Sequence, residues 1–91
     1  ERIMVDKNIY LVYGITDCPS CLMAQAALMH ADCEYVVVEM DFSRTYREAM
    51  KEEFSWSTFP IIVRVSTNGE ELVGGYEELV CEMATIATAP T

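Results

Sequence analysis

The chain has 91 residues, 52% of them hydrophobic, which suffices for one domain whose modest core needs no staples. Fifteen acidic residues against six Lys and Arg give a formal net charge of −9, and such a surface repels phosphate backbones and anionic lipid headgroups, which argues against a nucleic-acid or membrane partner. No apolar run approaches the ~18 residues of a membrane span, and no basic segment leads into a short apolar stretch with a small-residue cleavage site, so no secretion signal is expected.

In chain order, residues 1–7 mix charged and apolar side chains and read as a lead-in. Ile9-Tyr10-Leu11-Val12-Tyr13 is a continuous β-prone run, as in a strand buried on both faces, and Gly14 breaks it. Pro19 stands where a helix can begin, because its missing N–H would have no partner there anyway. Good helix formers then continue to about Ala31, with Leu22, Ala26 and Met29 on one apolar face and Asp32 ending the pattern. Tyr35-Val36-Val37-Val38 predicts a second strand. Thr45 and Glu48 have the spacing of a capping box that opens a helix to about Phe54, with Tyr46, Ala49, Met50 and Phe54 at helical spacing.

Ile61 to Val65 predicts a third strand. Asn68-Gly69, two residues that tolerate positive φ, signals a hairpin with Glu70 to Val73 as the antiparallel partner. Gly74-Gly75 interrupts, and Leu79, Val80, Met83 and Ile86 form the stripe of a last helix beginning at Tyr76, before a frayed end over Thr88 to Thr91. The order is β-α-β-α-β-β-α. Crossover helices between the early strands imply a parallel pair, and the hairpin adds antiparallel strands. The expected fold is α/β, a mixed four-stranded sheet with helices on both faces, in a single domain over 1–91 with its core at about 9–84.

Of the four cysteines, two form Cys18-Pro19-Ser20-Cys21, while Cys33 and Cys81 stand alone. Without a secretion signal this favours a reducing cytoplasm and a redox or metal role for the pair. Cys18 falls just before the predicted helix, where unpaired N–H groups and the helix dipole favour an anion, and the thiolate is the attacking species in disulfide exchange. Cys21 follows one turn later, in reach of a mixed disulfide formed on Cys18. The competing reading is a zinc module of Cys18, Cys21, His30 and Cys33. Four ligands would have to converge, yet the helix would spread Cys18 and His30 about 18 Å apart at ~1.5 Å per residue. Redox chemistry is favoured and no metal is expected. His30 reads as a surface charge near a helix end, and Cys33 and Cys81 as core thiols beside apolar positions. Trp56 either rims the active site or packs between helix and sheet. Glu52-Glu53 and Glu70-Glu71 read as solvated surface.

Three separated blocks then combine: Val12-Tyr13-Gly14 leading to Cys18-Pro19-Ser20-Cys21, then Thr58-Phe59-Pro60, then Gly74-Gly75-Tyr76-Glu77-Glu78-Leu79. In this order and spacing they resemble the glutaredoxin family over about Ile9 to Ala84. Tyr13-Gly14 and Gly74-Gly75-Tyr76 are also similar to the compact glutaredoxins of bacteriophages. The resemblance implies a thioredoxin-like fold, with Cys18 as nucleophile and Cys21 as resolving thiol. It implies that Pro60, after Thr58 and Phe59, is a cis proline facing the Cys18 sulfur, with the Phe59 backbone pairing with the cysteinyl backbone of glutathione or of a bound peptide. It places Gly75, Tyr76 and Glu77 at a helix N-terminus whose N–H groups receive the γ-glutamyl carboxylate, and Glu77 where the family's Asp can hold the γ-glutamyl amine.

The implied activity is reduction of protein disulfides or glutathione mixed disulfides. Glutathione would be the co-substrate, with no permanently bound cofactor. The implied partners are disulfide-containing proteins, ribonucleotide reductase among them by family analogy. A cytoplasmic monomer is expected, in the host cytoplasm if the source is viral. Departures from the family pattern matter. The position three before Cys18, where many relatives carry a glutathione-binding Lys, is Ile15; Asp17 adds a like charge beside the thiol; the usual Tyr is Ser20; and the stretch from Pro60 to Gly74 is longer. Two alternatives follow from them: a thioredoxin-like electron donor recharged by a flavoprotein reductase, and a protein holding an iron–sulfur cluster across a dimer.

Overall fold

Five consecutive apolar residues, Ile9 to Tyr13, are satisfied in the middle of a sheet covered on both sides, and the structure puts them there. The computed structural model describes residues 8–88; the lead-in expected over 1–7, the end beyond Thr88 and the side chain of Ile86 lie outside the described residues. Strand β1 (Ile9–Gly14) runs parallel to β2 (Glu34–Glu39) and antiparallel to β3 (Ile61–Ser66), which pairs antiparallel with β4 (Gly69–Gly74). The strand order is β2-β1-β3-β4. Three helices join them: α1 (Pro19–His30), α2 (Arg44–Phe54) and α3 (Tyr76–Thr88).

The register decides which side chains share a face. Val12 stands opposite Val37 and Ile62, and Tyr10 opposite Tyr35 and Arg64. On this face α1 and α3 complete a cluster of Tyr10, Val12, Ala24, Leu28, Ile62 and Leu79. Leu11 and Tyr13 point the other way, opposite Val63 and Ile61, which are fully buried. There α2 approaches, with the Phe54 ring 6.3 Å from that of Tyr13. Each fully buried Leu, Ile or Val of these two layers contributes roughly 1.5–3 kcal/mol relative to exposure.

The Tyr10 hydroxyl escapes the apolar layer by donating to Glu82 of α3 at 2.7 Å, and Arg64 donates to the same carboxylate at 2.6 Å. Arg64 also pairs with Glu71 of β4. One network thus ties β1, β3, β4 and α3 together. Burial, with the Glu82 carboxylate next, pushes the Tyr10 phenol far above its usual range.

Several expectations change: Tyr46 and Val80, placed among the apolar positions of their helices, are each 41% exposed. In α1 the buried residues are Cys21, Ala24 and Leu28, while Leu22 and Met29 are 65% and 66% exposed. The helix is apolar almost all round, so periodicity could not choose the face. The cap of α2 is Ser43, whose hydroxyl accepts from Tyr46 N at 3.1 Å; Thr45 is the second residue of the helix, exposed. The hairpin loop is Thr67-Asn68, because Ser66 pairs with Gly69 and the Ser66 hydroxyl takes the Asn68 N–H. Only Gly69 there needs positive φ. Cys81 is exposed rather than in the core, since α3 turns Leu79 inward and Cys81 away; Cys33 does pack against the core. The cap correction has a direct consequence. Ser43→Ala is expected to lower stability by about 1 kcal/mol in urea unfolding, and Thr45→Ala by a few tenths at most.

Candidate active site

The site forms where β1 ends. A Cβ on Gly14 would stand 3.2 Å from Cys21 Sγ, so glycine lets the first turn of α1 close onto the strand. The Gly14 carbonyl accepts from Met40 N at 3.0 Å, which ties this point to the exit of β2. Thr16 then donates from N and Oγ1 to the two carboxylate oxygens of Asp41, at 2.8 and 2.7 Å. Those bonds hold the turn and keep the Asp41 carboxyl below the usual range. Asp17 follows at φ 56, a left-handed conformation that Asp tolerates, and it delivers Cys18 in extended geometry as the N-cap of α1.

At that cap a sulfur does what a Ser hydroxyl commonly does: Cys18 Sγ accepts from Cys21 N at 3.2 Å. The sulfur therefore sits at the positive end of the α1 dipole, and Pro19 at the first helical position has no N–H to compete for it. Cys21 differs. It is 3% exposed, and its thiol is pushed up to about 12, first by burial and next by its hydrogen bond with Cys18. Both thiols are buried, Cys18 at 8% exposure at the helix mouth and Cys21 behind it and protonated. Iodoacetamide at pH 8 is accordingly expected to spare Cys21 while it labels exposed Cys81, as read by peptide mass mapping. Equal labelling of the two would contradict the burial of Cys21.

Opposite Cys18 lies the loop before β3. The Phe59–Pro60 bond is cis, Pro60 is buried, and the Phe59 carbonyl oxygen is 3.9 Å from Cys18 Sγ. The Lys51 amine stands 5.5 Å over the Phe59 ring. Beyond the loop opens a groove of about 400 Å³, between Trp56 and Thr58 to Pro60 on one side and Gly75 to Glu78 on the other. The Trp56 indole Nε1 is buried there without a hydrogen-bond partner among the described residues.

Gly74 has φ +128, and β4 carries a bulge just before it. Gly75 caps α3: its carbonyl accepts from Leu79 N at 3.0 Å, and its N–H donates to Glu78 Oε1 at 2.9 Å. The first turn of α3 holds two acids, Glu77 and Glu78.

The structure thus brings Cys18, Cys21, Phe59 and Pro60 together, and sets Thr58, Gly75, Tyr76 and Glu77 along the adjoining groove. It also shows participants that sequence reasoning passed over. Glu78 was readable, since a Glu three residues after the Gly75 cap is the reaching half of a capping box. Asp41 carried no local signal, because its partner Thr16 is 25 residues away. Lys51 and Gly14 likewise gain meaning only from what they face.

The glutaredoxin family model matches residues 10–70. No curated protein matches the chain in sequence. Among solved structures, glutaredoxin 1 from Francisella tularensis, complexed with cacodylate, is similar at 19% identity and a TM-score of 0.70, covering 90% of this chain and 99% of that one. The holo form of a glutaredoxin from Populus tremula x tremuloides shares 20% identity at a TM-score of 0.63, over 90% of this chain and 81% of that one. A thioredoxin-like protein is similar at 23% identity and a TM-score of 0.61, over 81% and 97% of the two chains. At these identities the structural likeness establishes the thioredoxin-like fold.

Proposed function

The chain belongs to the glutaredoxin family of thiol–disulfide oxidoreductases, and from that premise we propose that it works as a dithiol enzyme with glutathione as the returning reductant. The observation that carries the proposal is the position of Cys18 Sγ, 3.2 Å from Cys21 N and 3.9 Å from the Phe59 oxygen. The Cys18 thiolate attacks one sulfur of a client disulfide; that S–S bond breaks, and the departing half leaves as a thiol after taking a proton. Cys21 then loses its own proton and attacks the Cys18 sulfur, which releases the second half and leaves a Cys18–Cys21 disulfide. Two glutathione molecules return the pair to the dithiol and depart as glutathione disulfide. The Phe59 backbone aligns the incoming cysteinyl unit, and the first N–H groups of α3, from Gly75 to Glu77, meet its carboxylate.

Two features weaken the hold on glutathione. Ile15 supplies no cation beside Cys18, and Glu78 already occupies the Gly75 N–H, so an incoming carboxylate must displace a carboxylate of the chain itself. Those same features favour, as a second reading, a donor recharged directly by a flavoprotein reductase. Coupled NADPH consumption distinguishes the two: turnover of a cysteine–glutathione mixed disulfide with glutathione and glutathione reductase supports the first, and turnover with thioredoxin reductase alone supports the second. The clients are disulfide-bearing proteins, ribonucleotide reductase among them by family analogy, met by a monomer in a reducing cytoplasm.

A further inference from the structure

The groove of the candidate active site opens toward β3 and β4. On the other side of β1, toward β2, a second hollow of about 270 Å³ reaches Cys18 itself. Its apolar walls are Val12, Ile15, Leu22 and Val37, and Asp17 and Glu39 supply carboxylates. Among the described residues no Lys, Arg or His lines it. The volume falls just under the roughly 300–1,000 Å³ of small-molecule pockets, which suits one side chain rather than a free organic ligand.

The charge of the hollow is unbalanced. Glu39 stands beside the carboxylate of Asp41, and that neighbour, with some desolvation, raises the Glu39 carboxyl above its usual range. The nearby cation, Arg47, spends its Nη1 on the Met40 and Asp41 carbonyl oxygens at 2.8 and 2.7 Å and does not line the hollow. The complement of an apolar slot edged by unneutralised carboxylates is an aliphatic stem that ends in a cation. An acidic side chain meets like charge there. A wholly apolar one strips water from carboxylates and returns no partner.

We propose that this hollow is a specificity site for the Lys or Arg side chain beside the half-cystine that Cys18 attacks. The proposal rests on the reading of Cys18 as the nucleophile. The stem lies on Ile15, Leu22 and Val37, and the cation meets Glu39 and Asp17. Basic clients are thereby aligned as well as attracted, which the overall net charge of −9 cannot do.

The test uses three symmetric peptide disulfides, each half a pentapeptide with a central cysteine flanked by Lys, Leu or Glu. The reduced protein donates two electrons per disulfide and releases two peptide thiols. Single-turnover rates are divided by those of dithiothreitol on the same peptides, which removes their intrinsic reactivity. The Lys peptide is expected to react roughly fivefold to tenfold faster than the Leu peptide at low salt, a preference that fades as salt rises. Glu39→Gln, and Asp17→Asn, which keeps a residue tolerant of positive φ, are each expected to remove at least about half of that preference.

Glu70→Gln is the control for net charge. Glu70 lies opposite Val65, which pairs with Ile9 at the start of β1, whereas Cys18 follows the strand's other end. This variant is expected to leave the preference unchanged. Equal loss in Glu39→Gln and Glu70→Gln overturns the site and leaves only long-range attraction. Equal normalised rates for all three peptides overturn it while Cys18 keeps its role. No exchange with any of them overturns the reading of Cys18 and the proposal together.

Discussion

Cys18→Ser is expected to lower disulfide exchange by at least ~10³-fold, the scale on which enzymes respond to loss of a nucleophile. The variant isolates chemistry from folding unusually well. Ser is among the preferred N-cap residues, and its hydroxyl can accept the Cys21 N–H that Cys18 Sγ now accepts at 3.2 Å. Urea unfolding of the variant should therefore match the wild type while NADPH-coupled activity disappears. Cys21→Ser should behave differently. With Cys18 intact, a glutathionyl mixed disulfide can still be resolved by a second glutathione, so reduction of monothiol substrates persists. Reduction of a protein disulfide that needs the second thiol is lost. Cys18→Ser retaining a tenth of wild-type activity would overturn the assignment of the nucleophile.

The contrast between those variants was already written in one contiguous stretch, Cys18 to Cys21, since a Pro one residue after the first thiol fixes both the helix start and the cap. The buried place of β1 and its parallel pairing with β2 were legible for a similar reason: a run such as Ile9 to Tyr13 is too apolar for an exposed strand, and the crossover through α1 lets the two strands run the same way. The strand order was not, because α2 joins β2 to a strand that runs the opposite way. Periodicity failed where it had no contrast to work with. Helix α1 carries Leu22, Met23, Ala26 and Met29 on surfaces the structure leaves exposed, and the buried face was chosen by the Cys18 cap and the close approach of Gly14 to Cys21. At α2 two hydroxyls competed for the cap. Glu48 favoured Thr45 on spacing, but Ser43 has the extended φ of −142 that a cap requires. The Phe59–Pro60 loop could be placed opposite Cys18 only through family resemblance. Glu39 and Asp41 were invisible altogether, because nothing local says that the end of β2 lies beside the first turn of α1.

Gly74→Ala is expected to be among the most damaging single-methyl additions in the chain, and Gly69→Ala shows why. Both glycines have positive φ, +128 and +113, so an L side chain at either position carries a backbone penalty of about 1–2 kcal/mol. Around Gly69 a new Cβ meets nothing within 4 Å, and the penalty should be all that urea unfolding detects. At Gly74 the Cβ would stand 2.8 and 2.9 Å from Glu78 Cγ and Cβ. Those atoms are near the root of a side chain on the first turn of α3, so the helix itself must give way. Overpacking of this kind adds roughly 1–3 kcal/mol, which puts the total near 2–5 kcal/mol. In a domain of this size that is a fall in Tm of at least ~10 °C. Equal losses for the two variants would mean that the α3 terminus yields freely and is not held by the β4 bulge. The same displacement withdraws the Glu78 carboxylate from the Gly75 N–H. The folded fraction of Gly74→Ala should then show a lower KM for glutathione than the wild type, because the helix terminus no longer carries its own carboxylate.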